Sequence, residues 1–388
     1  MLCLRVPDEH GVGQGRGTEE RFVDLTDPHV TGLDLGLAVE GIQLFEKGGD
    51  RVDTDRFGGH DHGRDCVLPA GPDLQAVQQY AEALSGPAGR RVPMMRAHRH
   101  ETMSDVLTWL WETTAEPILT ALRHPSASAD EPPRVWWCLT GPLTMLPIHA
   151  AQRGPGSPDA VLERVVSSYT LTPTHLSLSV HRAPRRTGVT DDRPCAITIA
   201  QPPGLPPLVG PEHRARLLGE LLDPAPVRLD DREVTRDWLL QALASHRIVH
   251  IAGHGHQDVT EPLRGGVAAS DGAMTFQDIA AHPVGADLVF LDACHTAIGG
   301  TDVPNEGIHV ASALQLAGGH HVIATLWQVV GHDLVTLAGE EDFIAAVYRS
   351  LAPEGTVVVD RAPYALHEAL RQRRLDISDW ASYLHYGG

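Results

Sequence analysis

No stretch of this 388-residue sequence approaches the roughly 18 uninterrupted apolar residues that a membrane-crossing helix needs. The opening MLCLRVPDEH lacks the apolar core of a secretory leader. Cysteine is scarce: Cys3, Cys66, Cys138, Cys195 and Cys294 are widely spaced, odd in number and form no CxxC pair. That argues against a disulfide framework or a four-thiolate zinc site and suits a reducing compartment. The sequence therefore reads as cytoplasmic. It contains no HExxH, no GxxxxGK[ST], no GxSxG and no EF-hand loop. The glycines of GVGQGRG (11–17) have no strand before them and no helical pattern after them, so they do not make a dinucleotide site. Zincin, P-loop, serine-hydrolase and nicotinamide chemistry are excluded on these grounds, and no cofactor is expected. Positive charge is also short. Lys and Arg total 31 against 50 for Asp and Glu, giving 31 − 50 = −19. Such a chain repels nucleic acid and anionic membrane surfaces and attracts basic peptides.

What is present is a series of short apolar runs separated by helical patterns. Residues 1–95 are weakly patterned, rich in Gly, Asp and His, and read as an extension that is partly disordered. A helix is expected over Thr102–Leu122, where Met103, Leu107, Leu110, Trp111, Ile118, Leu119 and Leu122 recur at helical spacing, with Pro117 dividing it. RVWWCL (134–139), CAITIA (195–200), VRL (227–229), RIVHIAG (247–253), DLVFLDA (287–293) and HHVIATLW (320–327) read as strands. Helices are expected over Pro211–Leu222, from a Thr235 cap to Ala244, from Asn305 or Gly307 to Leu316, and over Asp342–Leu351 and Pro363–Arg373. Strands alternating with helices imply an α/β fold with a mostly parallel sheet between helix layers.

Two strand ends carry candidate chemistry. One reads His250-Ile-Ala-Gly-His254-Gly255-His256 and the other Leu291-Asp-Ala-Cys294-His-Thr. Ligands of open parallel sheets collect beyond the carboxyl ends of the strands. One crossover separates the two segments, so the strands can be neighbours and His254 can meet Cys294. A free thiol is a few per cent thiolate at neutral pH, and an adjacent imidazole takes its proton and later protonates a leaving amine. Gly255 leaves room for a substrate carbonyl, and its N–H with that of Cys294 makes a candidate oxyanion hole. Taken singly, a cysteine at the end of a buried strand is as readily a small core residue.

The order of motifs resembles the CHAT domains, relatives of caspases, metacaspases and separase among the clan CD cysteine peptidases. The matching segments are WWCLTGPLTMLPIHAA (136–151), SSYTLTPT (167–174), VHIAGHG (249–255), LDACHTA (291–297), EGIHVASALQLAGGHHVIATLW (306–327) and WASYLHYGG (380–388). The resemblance implies a caspase-like α/β/α sandwich over 96–388. It implies a cysteine endopeptidase acting on protein or peptide substrates, with His254 and Cys294 as its dyad. His250 and His256 rank below His254 because neither precedes a glycine. Asp292 is similar to the acidic residue with which metacaspases select Arg or Lys before the scissile bond; a carboxylate that hydrogen-bonds a loop is the other reading. Trp327 is either a wall of the substrate cleft or a core residue. Glu306 reads as a residue favoured by a helix start.

The same resemblance implies calcium, autoprocessing or an activating partner protein without selecting among them, and a catalytically idle scaffold or sensor is the alternative function. His60, Asp61, His62, Asp65 and Cys66 have spacings that zinc or copper accepts, but no flanking element fixes their geometry, so no metal site is assigned.

Overall fold

The structure, a computed structural model, describes residues 2–5, 20–23, 93–122, 132–139, 141–172, 175–176, 193–208, 210–231, 233–258, 261–297, 309–327, 343–372 and 380–388. The GVGQGRG glycines, the His60–Cys66 cluster, Asn305, Glu306 and Gly307 lie outside the described residues.

Thirteen strands are described: β1 (Leu2–Arg5), β2 (Glu20–Val23), β3 (Arg134–Trp137), β4 (Val166–Tyr169), β5 (Cys195–Thr198), β6 (Val227–Asp230), β7 (Ile248–Gly253), β8 (Gly255–His256), β9 (Gly266–Ala269), β10 (Gly272–Thr275), β11 (Leu288–Ala293), β12 (His321–Thr325) and β13 (Tyr383–Gly387). Ten of them form one sheet in the order β2-β1-β3-β4-β13-β12-β11-β7-β5-β6. Pairing is parallel within β3-β4-β13 and within β12-β11-β7-β5-β6; β12 meets β13 antiparallel, as β1 meets β2 and β3. The sheet is therefore mostly parallel, as the alternation of apolar runs and helices requires. Two features were not legible in the sequence. β1 and β2 extend the sheet from the weakly patterned first 95 residues, and β8, β9 and β10 make a separate antiparallel sheet directly after β7.

The helices are α1 (Pro93–Leu110), α2 (Glu116–Ala121), α3 (Val161–Arg164), α4 (Gly210–Leu221), α5 (Arg236–Ser245), α6 (Phe276–Ala280), α7 (Val310–Ala317), α8 (Phe343–Leu351) and α9 (Ala362–Gln372). Thr235 caps α5 as expected, its side chain accepting from the Trp238 N–H. The expected division at Pro117 takes the form of a π-helical turn, Trp111–Ala115, between α1 and α2. Proline offers no N–H and crowds the carbonyl four residues back, so the turn widens before it. The start of α7 is corrected: its cap is His309, whose Nδ1 accepts from the Ser312 N–H while Ser312 Oγ accepts from the His309 N–H.

The pleat separates the two helix layers. On β13, Tyr383 packs on Phe290 and on Phe343 of α8, whereas Tyr386 points to the other face and packs on His309 at the start of α7. All six residues of β7 and of β11 are buried, which is what strands covered on both faces require. Among the described residues no helix is long and apolar enough to cross a membrane.

Several histidines are enclosed in this core. Burial pushes His149 and His309 down to about 3 and His321 down to about 4, and holds His385 well below the usual histidine range. An unfolded chain takes up these protons near pH 6.5 while the folded chain refuses them. Stability is thus complete above pH 6.5 and falls as the pH drops from there toward 3. His149 and His309 should each cost on the order of 1.4 kcal/mol per pH unit across that window. Urea unfolding at pH 7.5, 6.5, 5.5 and 4.5 should show a midpoint that is flat above 6.5 and falls steeply below it; a midpoint unchanged at 5.5 contradicts the assignment.

Candidate active site

The chain runs from β5 outward to β6, then crosses back to β7 on the other side of β5, so the direction of winding reverses between β5 and β7. A crevice opens at the carboxyl ends of strands at such a switch point. β7 leads directly into His254, and the neighbouring β11 leads directly into Cys294. The two strands are parallel and in register over their full length, from Leu288 opposite Ile248 to Ala293 opposite Gly253. His254 and Cys294 are therefore each one residue beyond the last matched pair, on strands about 4.8 Å apart.

Gly255 keeps the two chains together past the end of the ladder. A Cβ at this position would sit 2.3 Å from the Cys294 carbonyl oxygen and 3.1 Å from Thr296 Cγ2, so only glycine allows this approach. The backbone on the other side is tied to the small sheet, where the Ala268 N–H donates to the His254 carbonyl at 2.8 Å. That bond makes Gly255 and Val267 a non-hydrogen-bonded antiparallel pair, which turns the Gly255 N–H away from β9.

The imidazole of His254 is oriented by a group the sequence did not reveal. Its Nε2 lies 2.7 Å from the carbonyl oxygen of Pro206, in the loop that follows β5. A carbonyl only accepts, so Nε2 carries the proton. In the neutral ring the lone pair is then on Nδ1. The only signal for this loop was its run of prolines, QPPGLPPL (201–208), which stiffens a connection without announcing which carbonyl it will present.

Cys294 begins a tight turn and is partly exposed. The next residue, His295, has φ of 58°, the left-handed region; among the described residues no other non-glycine has a positive φ. Histidine enters that region more readily than most side chains, at a cost of about 1–2 kcal/mol. The turn is held by buried hydroxyls. Thr296 Oγ1 and Thr325 Oγ1 both donate to the Ala293 carbonyl, at 3.0 and 2.8 Å, and the Thr325 N–H donates to Thr296 Oγ1 at 3.2 Å. The Ala297 N–H donates to Thr325 O and the Ala311 N–H to Thr296 O. The carbonyl just before the thiol is thus fixed from two elements, β12 and the turn itself.

The remaining sequence candidates lie elsewhere. His250 is buried, its Nδ1 3.1 Å from Tyr348 Oη and its ring against Phe290, and His256 is exposed on β8. Asp292 does not present its carboxylate to an open cleft. Its side chain is 2% exposed, and Oδ2 accepts from Arg214 Nε of α4 at 3.0 Å. Trp327 is 1% exposed and packs in the core, so it offers no wall to a cleft. The residues that reasoning from sequence missed are Pro206, Thr296, Thr325 and Arg214. Only the two threonines had a signal, as hydroxyls placed at strand ends.

The chain matches the family model of the CHAT domain over residues 104–388. Among solved structures it is similar to separase of Saccharomyces cerevisiae in complex with securin. The 2.6 Å structure gives 12% identity and the 3.0 Å structure 14%, each with a TM-score of 0.43. In both, 71% of this chain and 17% of that chain are covered, so the present chain spans about a sixth of the separase chain. No curated protein matches it.

Two substitutions test the frame. Gly255→Ala drives a methyl group into the Cys294 carbonyl and should destabilise the protein by about 1–3 kcal/mol, read as a lower thermal midpoint; an unchanged midpoint would mean the close approach is absent. Arg214→Met leaves the Asp292 carboxylate buried without its cation and should cost about 3–5 kcal/mol, most of it recovered in the Arg214→Met/Asp292→Leu double variant. Strictly additive losses in that cycle would show that the two groups do not interact.

Proposed function

The chain belongs to the CHAT domain family, and on that premise we propose that it is a cysteine endopeptidase in which Cys294 is the nucleophile and His254 its base. The observation that carries this reading is the arrangement at the carboxyl ends of β7 and β11. Two parallel strands in register end one residue before each of them, and the Pro206 carbonyl leaves Nδ1 of His254 as the lone-pair nitrogen; both features support the reading.

In this reading the Cys294 thiol passes its proton to Nδ1 of His254 and the thiolate attacks the scissile carbonyl carbon. The carbonyl electron pair moves onto oxygen, where the N–H groups of Gly255 and Cys294 receive the negative charge. As the tetrahedral centre collapses, the C–N bond breaks and the imidazolium gives its proton to the departing amine. The resulting thioester is cleaved by water, which His254 deprotonates as it attacks; the new C–O bond releases a carboxylic acid and returns the thiol. Throughout, the imidazolium keeps its Nε2–H on Pro206 O, an orienting role of the kind a carboxylate plays in serine triads.

Asp292 enters this scheme as the buried partner of Arg214. Its charge is matched within the protein, which favours a structural counter-ion over a selector of basic side chains. Cleavage profiling on a peptide library distinguishes the two, since a selector requires a strong preference for Arg or Lys before the scissile bond.

An acyl-type peptidyl electrophile should label Cys294 in preference to Cys138 and Cys195, both of which are buried. His254→Ala should slow that labelling by about 100-fold or more, within the range that positioned acid–base groups contribute. Cys294→Ala should abolish the new N-termini that the wild-type protein generates in a mixture of proteins. Equal labelling rates for wild type and His254→Ala, with no new N-termini from either, would favour a catalytically idle scaffold.

A further inference from the structure

The end of the sheet opposite Cys294 carries a cluster that peptidase chemistry does not use. His320 and His321 precede and begin β12, and Asp360 lies in the short turn Val359–Arg361 between α8 and α9. One nitrogen from each histidine and one carboxylate oxygen all lie within 4.8 Å of one another. We propose that these three residues bind a divalent transition-metal cation, zinc first among them, that pins the α8–α9 connection to the amino-terminal end of β12.

The chemistry of His321 supports the site. The residue is 1% exposed, yet its Nε2 makes no hydrogen bond among the described residues. It faces Asp360 Oδ1 across 3.8 Å, too far for a hydrogen bond but close to the separation of two ligands on one ion. Donors at 2.0–2.1 Å from a tetrahedral zinc are about 3.3 Å apart. Asp360 is 87% exposed on its side chain and is free to close that gap by rotation.

The outer contacts complete a pattern that metal-bound histidines need. Nδ1 of His321 is 3.0 Å from Nε2 of His385, Nδ1 of His385 is 3.0 Å from Ser168 Oγ, and Arg134 Nε donates to the same oxygen at 2.9 Å. The metal site takes the tautomer in which His385 donates its Nδ1–H to Ser168 Oγ and accepts the His321 Nδ1–H at Nε2, which leaves the Nε2 lone pair of His321 facing Asp360, the outer-shell support that a metal-ligating imidazole needs. Two imidazoles and one carboxylate suit zinc and its neighbours better than calcium or magnesium, which take oxygen ligands. Three protein ligands leave a fourth position for water.

The test uses the full chain, stripped by a chelator that is then removed, and titrated with Zn2+ by calorimetry and with Co2+ by visible absorption. One ion per chain is expected, with a rise in unfolding temperature of roughly 3 °C at a hundredfold excess over Kd. His320→Ala/Asp360→Asn alters partly and fully exposed positions, so the fold is retained while affinity falls more than about 100-fold, beyond what loss of an outer contact alone costs. Variants His60→Ala/His62→Ala and Cys294→Ser should bind as the wild type does, which separates this site from the other histidine cluster and from the thiol. Absence of stoichiometric binding in the wild type, or unchanged binding in His320→Ala/Asp360→Asn, overturns the proposal.

Discussion

The parallel ladder between β7 and β11 is the constraint on which the candidate site depends. Parallel pairing fixes which residues leave adjacent strands side by side, and a slip by one residue would exchange every inward and outward side chain. Here the ladder is anchored by side chains of opposite kinds on its two faces. His250, Phe290 and Asp292 project toward α4 and α8 and meet Tyr348 and Arg214 there. Val249, Ile251, Val289 and Leu291 alternate with them and are fully buried. A shifted register would bury a guanidinium partner against aliphatic chains, so the polar contacts specify the alignment that the apolar ones stabilise.

Much of this was legible in the sequence because burial on both faces writes itself as an unbroken apolar run. RIVHIAG and DLVFLDA announced strands, and the helical period of 102–122 announced a helix. The signal failed where structure is made by backbone contacts or by few residues. β8 consists of Gly255 and His256 alone, and β9 and β10 contain small residues that give no alternation. The orientation of His254 rests on a backbone carbonyl, which no residue type encodes. The cap of α7 is a histidine rather than a Ser, Thr, Asp or Asn, and a histidine works there only because burial keeps its Nδ1 unprotonated.

Asp292 shows how a correct motif can mislead about a side chain. The match of Asp-Ala-Cys-His-Thr to an acidic specificity motif was real at the level of residues. The pleat nevertheless directs position 292 to the same face as Phe290, toward α4, where Arg214 is waiting. Sequence spacing gives the face of a strand only when the covering helix is known, and Arg214 lies 78 residues upstream.

That ion pair also bears on the chemistry proposed for the turn above it. A carboxylate buried two residues before a cysteine, left to itself, would oppose formation of a thiolate, since like charges repel strongly where water is absent. Pairing with a guanidinium turns the lone charge into a compact dipole whose field falls off much faster with distance. The same pairing relieves the cost of burying the carboxylate, which a neutral asparagine would avoid but without a fixed partner on α4. The Arg214–Asp292 contact thus does two things at once: it ties α4 to the strand that carries Cys294, and it removes an electrostatic obstacle from beneath the residue proposed to become an anion.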